Sequence, residues 1–181
     1  GTLGCGMLTD IPGATNNSYT TPLLTQTTYY RVRVWAAGVG CTEVQSACVP
    51  VIVSLPPSAY AGPDASTCED ANYTLTGTAA NNYSSILWTE NGLGSLTGAA
   101  TLTPTYVPGP GETGIVTIVL TAQGNAPCGD AVDSMYLQIE PKPVVNAGSD
   151  GFTCEGKAYT VPAGASVTNA ASYLWTAPGP G

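Results

Sequence analysis

Glu112-Thr113-Gly114-Ile115-Val116-Thr117-Ile118-Val119-Leu120-Thr121-Ala122-Gln123-Gly124 decides the fold. Val116, Ile118, Leu120 and Ala122 alternate with other residues, and a period of two puts them on one face of a β-strand. Gln26-Thr27-Thr28-Tyr29-Tyr30-Arg31-Val32-Arg33-Val34-Trp35-Ala36-Ala37-Gly38 lies over the same pattern, with Tyr30, Val32, Val34 and Ala36 in register. A cysteine follows each strand, Cys128 and Cys41, and each region then closes with another strand and a proline-rich joint. The joints are Leu55-Pro56-Pro57 and Pro141-Lys142-Pro143. Proline lacks the N–H donor and favours extended backbone, so such joints are stiff and short.

The rest of the chain repeats as well. Ala61-Gly62-Pro63-Asp64 returns as Ala147-Gly148-Ser149-Asp150, and Thr67-Cys68-Glu69 returns as Thr153-Cys154-Glu155. Tyr73-Thr74 returns as Tyr159-Thr160, and Leu87-Trp88-Thr89 as Leu174-Trp175-Thr176 with one residue inserted. Self-similarity at a fixed period marks an array of like units. The organisation expected is a late half at 1–56, one complete unit at 57–142 and an early half at 143–181. The two halves are complementary, so the early half of one copy is expected to form a composite sandwich with residues 1–56 of a neighbouring copy.

Composition agrees. The 181 residues include 22 glycines and 15 prolines, and only 9% are charged. Glycine and proline interrupt helices, while the Thr, Val, Tyr and Ser content suits pleated strands. Pro108-Gly109-Pro110-Gly111 and Gly124-Asn125-Ala126-Pro127 are turn signals between candidate strands. Those strands are Tyr73–Leu75, Ile86–Thr89, Thr101–Tyr106, Ile115–Ala122 and Met135–Glu140. The fold class expected is all-β, with tandem immunoglobulin-like (PKD-like) sandwiches stapled by disulfides.

The net charge of −8 leaves no basic face for nucleic acid. No run of about 18 apolar residues is present, so no membrane insertion is expected. There is no histidine, which excludes His-based nucleophile activation. Glu69/Asp70 and Asp130/Asp133 read as turn residues rather than paired catalytic carboxylates. No catalytic residue is assigned, and the chain is not expected to be an enzyme.

Six cysteines without a CxxC pair point to disulfides and an oxidising compartment rather than zinc. Cys68 and Cys128 flank the strands of the complete unit and are expected to pair, contributing about 4 kcal/mol through loop closure. Cys5 and Cys48 have no counterparts there and are expected to form a separate staple, with Cys41–Cys48, closing a tight hairpin, as the alternative. Cys41 is expected to bridge to Cys154 of a neighbouring copy. Trp88 and Trp175 are read as core residues. Trp35 falls on the opposite face of its strand with Tyr29, Arg31 and Arg33, and is the candidate surface-contact residue.

The run AGxDxxTCE…YTLxG…LWT, then LTPTYVPGPGETGxVTxxLTAxG and PCxDAVDSM, resembles the PKD-like and Ig-like repeats of very large surface proteins. Those proteins belong to gliding, type IX-secreting Bacteroidota. Asp10-Ile11-Pro12-Gly13-Ala14-Thr15 and Tyr19-Thr20-Thr21-Pro22 resemble the Ig-like modules that accompany them. The resemblance implies secretion to the cell surface or beyond, and a structural or adhesive role with neighbouring repeats and surface glycans as partners. It also makes Asp133-Ser134-Met135 a candidate O-glycosylation motif at Ser134. Asp64 and Asp150 recur beside the joints and are the candidate calcium ligands, as hard oxygen donors. No other cofactor is expected. The alternative function is a carbohydrate-binding or spacer module attached to a secreted enzyme.

Overall fold

The computed structural model describes residues 5–6, 8–36, 40, 42–161 and 164–178. Within them the chain is all-β, without a helix. Contacts divide it into two units: Gly1–Leu55 with Asn125–Cys128, and Pro56–Gly124 with Gly129–Gly181.

The first unit has four short strands: β1 (Thr28–Tyr30), β2 (Arg33–Val34), β3 (Val44–Gln45) and β4 (Val49–Val51). β1 pairs with β4 and β2 with β3, both antiparallel, so the alternating segment is one arm of an interrupted hairpin. Ser46 bridges the interruption: its N–H donates to Val32 O at 2.9 Å, and its hydroxyl accepts the Val32 N–H at 3.0 Å. The alternation builds a hairpin without a buried face. Val32, Val34, Val44 and Ile52 remain 60–68% exposed. The expected Cys5–Cys48 disulfide is formed, with Cα atoms 6.4 Å apart, and ties the start of the unit to the approach of β4.

The second unit opens with β5 (Ser58–Tyr60), β6 (Ala65–Cys68), β7 (Tyr73–Thr74), β8 (Ala79–Asn81) and β9 (Tyr83–Glu90). β10 (Ser95–Thr97), β11 (Thr105–Val107), β12 (Gly114–Gly124) and β13 (Ala131–Glu140) follow. One sheet runs β6-β13-β12-β9, with β6 parallel to β13 and the other pairs antiparallel. A second sheet runs β10-β11-β7, and β5-β8 forms a separate ladder whose β5 lies against β12 and β13.

The inner residues of this β-sandwich-like arrangement form the core. Val116, Ile118, Leu120 and Ala122 of β12 meet Met135, Leu137 and Ile139 of β13, with Ile86, Trp88, Leu75 and Tyr106. Burying such side chains contributes roughly 1.5–3 kcal/mol each against the entropy of ordering the chain. Trp88 is 2% exposed, and its indole N–H donates to Thr101 O at 2.9 Å, so its polar edge is satisfied inside. The strand expected from Thr101 begins only at Thr105. The Gly98–Thr101 turn, closed by Thr101 N–H to Gly98 O at 2.9 Å, occupies its first residues.

The last segment holds one ladder, β14 (Val144–Asn146) with β15 (Ser166–Thr168). It reproduces β5-β8 in detail. Ser58 lies opposite Asn81, and Val144 opposite Thr168. Gly62 and Gly148 follow with φ of 90° and 89°. Asn82 and Asn169, at φ 54° and 57°, donate their side-chain amides to Pro56 O and Lys142 O at 3.1 and 3.2 Å. Thr67 closes a turn on Ala71 O, and Thr153 closes one on Lys157 O.

The Cys68–Cys128 pairing is corrected. Cys68 lies opposite Glu140, at the C-terminal end of β13, whereas Cys128 precedes Ala131 at its other end. The nine residue steps of that strand span about 30 Å, and three residues of chain reach at most about 11 Å. A disulfide needs Cα atoms within about 7 Å, so both residues are thiols. Flanking the strands in sequence does not bring two cysteines together when they sit at opposite ends of the sandwich. The Cys41–Cys154 pairing rests on Cys41, which lies outside the described residues; Cys154 is an exposed thiol.

Candidate contact surface

The N-terminal segment and the interrupted hairpin frame a groove of about 1150 Å³ in the first unit. Tyr19, Tyr30, Arg31, Arg33 and Trp35 contribute to its lining. The rings of Tyr19 and Tyr30 are tilted against each other with centroids 6.1 Å apart. Trp35, the expected contact residue, is 68% exposed. Arg33 is held in a fork: Nε and Nη2 donate to the Glu43 carboxylate at 2.9 and 2.7 Å, and Nη1 to Asp10 at 3.0 Å. The hydrogen bond to Glu43 comes first among the causes that raise the Arg33 pKa, and the same bond holds the Glu43 carboxyl below its ordinary value. Arg31 donates to Gln45 and to Cys5 O, and its Nε has no partner among the described residues. Aromatic faces beside oriented guanidinium groups can stack rings and hold acceptors.

The other expected sites fall apart from one another. Asp64 accepts the Tyr136 N–H at 2.8 Å, and Asp133 accepts the Ala61 N–H at 2.8 Å. Both carboxylates fasten the β5–β6 connection to β13. Asp150 is exposed. Among the described residues no group of three or more Asp, Glu, Cys or His side chains could hold a metal. Ser134 is exposed on β13, opposite Val119.

One cluster was not foreseen. Glu112, 5% exposed, accepts the N–H groups of Leu93 and Gly109 at 2.7 and 2.8 Å and the Tyr106 hydroxyl at 2.8 Å. Burial pushes the Glu112 carboxyl up, but the donors from Gly109, Leu93, Tyr106 and Gly94 outweigh it and the net shift is downward. Burial, then the bond to Glu112, drives the Tyr106 phenol up. A Cβ at Gly92 would stand 2.1 Å from the Tyr106 hydroxyl oxygen and 2.4 Å from Glu112 Oε1, so only glycine fits there. The cluster locks two turns at one end of the sandwich. Its sequence signal is a single acid between a Gly/Pro turn and an apolar strand.

The disulfide indicates an oxidising environment, and no helix among the described residues is long and apolar enough to cross a membrane. No curated protein matches the chain. Residues 6–55, the stretch that carries most of the groove and Cys48 of the disulfide, match DUF8696, a domain of unknown function.

Proposed function

We propose that the chain is a structural and adhesive repeat segment of a secreted extracellular surface protein or fibre, with neighbouring copies of the same repeat as its partners. The observation that carries this reading is the detailed likeness of the β14-β15 segment to the β5-β8 segment, combined with opposite burial. Leu75, Ile86 and Trp88 are 0, 8 and 2% exposed, while Val161, Tyr173 and Trp175 at the corresponding positions are 46, 70 and 53% exposed. The same contrast holds in the hairpin: Ile118 and Leu120 are 0% exposed, and the corresponding Val32 and Val34 are 65 and 60% exposed.

Each flanking segment thus presents the face that its counterpart buries in the complete unit. Joining 143–178 of one copy to 28–51 of another would cover both faces, and exposed apolar surface of this extent marks an interaction surface. An O-glycan at Ser134 would project from the outer face. The groove beside Trp35 favours a second reading, contact with surface glycans, either within this array or as a binding module of a secreted enzyme.

Sedimentation of the chain with Cys41, Cys68, Cys128 and Cys154 replaced by serine, which blocks crosslinks while leaving Cys5–Cys48 oxidised, tests the first reading. Reversible, concentration-dependent growth above 18.3 kDa is expected. A monodisperse monomer at high micromolar concentration would overturn association between copies.

A further inference from the structure

The free thiols fall at the two ends of the complete unit. Cys128 sits at its entry, where the thiol lies 3.4 Å from Ser54 O, just before the joint prolines Pro56 and Pro57. Cys68 sits at its exit, lining a pocket of about 520 Å³ with Glu140, Pro141, Pro143 and Asn169. Every joint in an array of such units therefore receives two kinds of thiol. The unit that follows contributes one of the Cys128 kind, and the unit that precedes contributes one of the Cys68 kind.

Cys154 is of the Cys68 kind. It follows Gly148 as Cys68 follows Gly62, and the turn closed by Thr153 on Lys157 O repeats that closed by Thr67 on Ala71 O. Backbone N–H groups complete the likeness: Ala71 donates to Cys68 O at 3.0 Å and Lys157 to Cys154 O at 3.1 Å. Cys154 therefore belongs at the exit of the sandwich that residues 143–178 begin. If residues 28–51 of a second copy complete that sandwich, its exit is the Leu55-Pro56-Pro57 joint of the second copy. Cys128 of that copy stands at this joint.

We propose that Cys154 forms a disulfide with Cys128 of a second copy, stapling consecutive sandwiches across the proline joint. This rests on the reading of the chain as a repeat segment that associates with its own copies. The same oxidising environment that holds Cys5–Cys48 supplies the oxidant, a small-molecule disulfide such as oxidised glutathione. The Cys154 thiolate attacks that disulfide, expels one thiol and forms a mixed disulfide. The Cys128 thiolate then displaces the second thiol. Two protein thiols are oxidised and one small disulfide is reduced to two thiols.

The test is oxidation of the full chain in a glutathione redox buffer, using an equal mixture of ¹⁴N- and ¹⁵N-labelled copies, followed by non-reducing peptide mapping. A Cys128–Cys154 peptide containing one light and one heavy half is expected, with a ladder of multiples of 18.3 kDa that collapses on reduction. Cys154→Ser should abolish that peptide. Cys68→Ser, at the corresponding exposed position, should retain it. Copies that associate without a crosslink while Cys5–Cys48 stays oxidised, but leave Cys128 and Cys154 as thiols or pair them otherwise, would overturn the staple and leave the repeat reading standing. A monomer with both thiols free would overturn the two together.

Discussion

Trp88 and Trp175 follow the same Leu and precede the same Thr, yet one is buried against β12 and the other faces solvent. The sequence neighbourhood is shared, so it does not decide the difference. What Trp88 has is Leu120 opposite it in the ladder and the Thr101 carbonyl on its indole. Trp175 has neither, because among the described residues no strand pairs with its segment. The first unit shows the converse: a hairpin with the alternation of β12 that, among the described residues, buries no apolar face, held by a disulfide and an ion-paired arginine. A core in this protein belongs to the pairing of two segments, not to either segment's own pattern.

The largest effect should come from the tryptophans. Trp88→Ala is expected to destabilise the complete unit by about 3–5 kcal/mol, through lost burial and the cavity left behind. Trp175→Ala should change the stability of a dilute monomer by less than about 0.5 kcal/mol. Urea titrations of both variants measure the contrast. Equal losses would break the comparison. Near-equality that emerges only as concentration rises would sharpen it.

Reduction of Cys5–Cys48 is next. That bond closes a separation of 43 residues, and loop-closure entropy gives it about 4 kcal/mol before any strain is subtracted. The effect should be confined to the first unit. Hydrogen exchange should show residues 28–51 losing protection after reduction while β12 and β13 keep theirs. Loss of protection in both would mean that the complete unit depends on the staple too.

A smaller effect attaches to the buried carboxylate. Glu112→Gln keeps the shape but removes the charge that accepts three donors, and hydrogen bonds to a charged group contribute roughly 1.5–3 kcal/mol. The Glu112 pKa is lowered in the folded state, so its contribution is fully present above the unfolded carboxylate pKa of about 4.3. It is lost as pH falls from there through the lower folded value. Stability of the wild type should therefore fall more steeply than that of Glu112→Gln below about pH 4.5. Parallel pH profiles would remove Glu112 from the account.

The long strands were legible because alternation survives in sequence: β12 and β13 lie where Val116–Ala122 and Met135–Ile139 alternate. β5, β6, β8 and β10 were not. They are three or four residues of Ser, Ala, Thr, Asn, Tyr, Leu and Cys, and neighbouring strands define them more than propensity does. The repeat located Cys68 and Cys154 in matching turns, but order along the chain said nothing of which end of a sandwich each cysteine occupies. The phase of Trp35 against Val34 did not separate an outer from an inner face, because both side chains are exposed on the hairpin. The Glu112 cluster was not, because its donors are backbone N–H groups of Leu93 and Gly109, which carry no side-chain signature.

The smallest effect compares the two aspartates. Asp64 and Asp150 occupy the same place in the two matching segments, but Asp64 accepts the Tyr136 N–H at 2.8 Å while Asp150 is exposed with no strand of the β13 kind beside it. Asp64→Ala should therefore cost about 1 kcal/mol, the net worth of an ordinary hydrogen bond, since the site is open to solvent. Asp150→Ala should cost nothing measurable in the monomer. Thermal melts of the two variants at low concentration distinguish them. In a sample driven to associate, Asp150→Ala should acquire the penalty of Asp64→Ala, since a hairpin from another copy would bring its own N–H to that carboxylate. An Asp150 that stays silent in the associated state would show that the incoming hairpin does not take the register of β13.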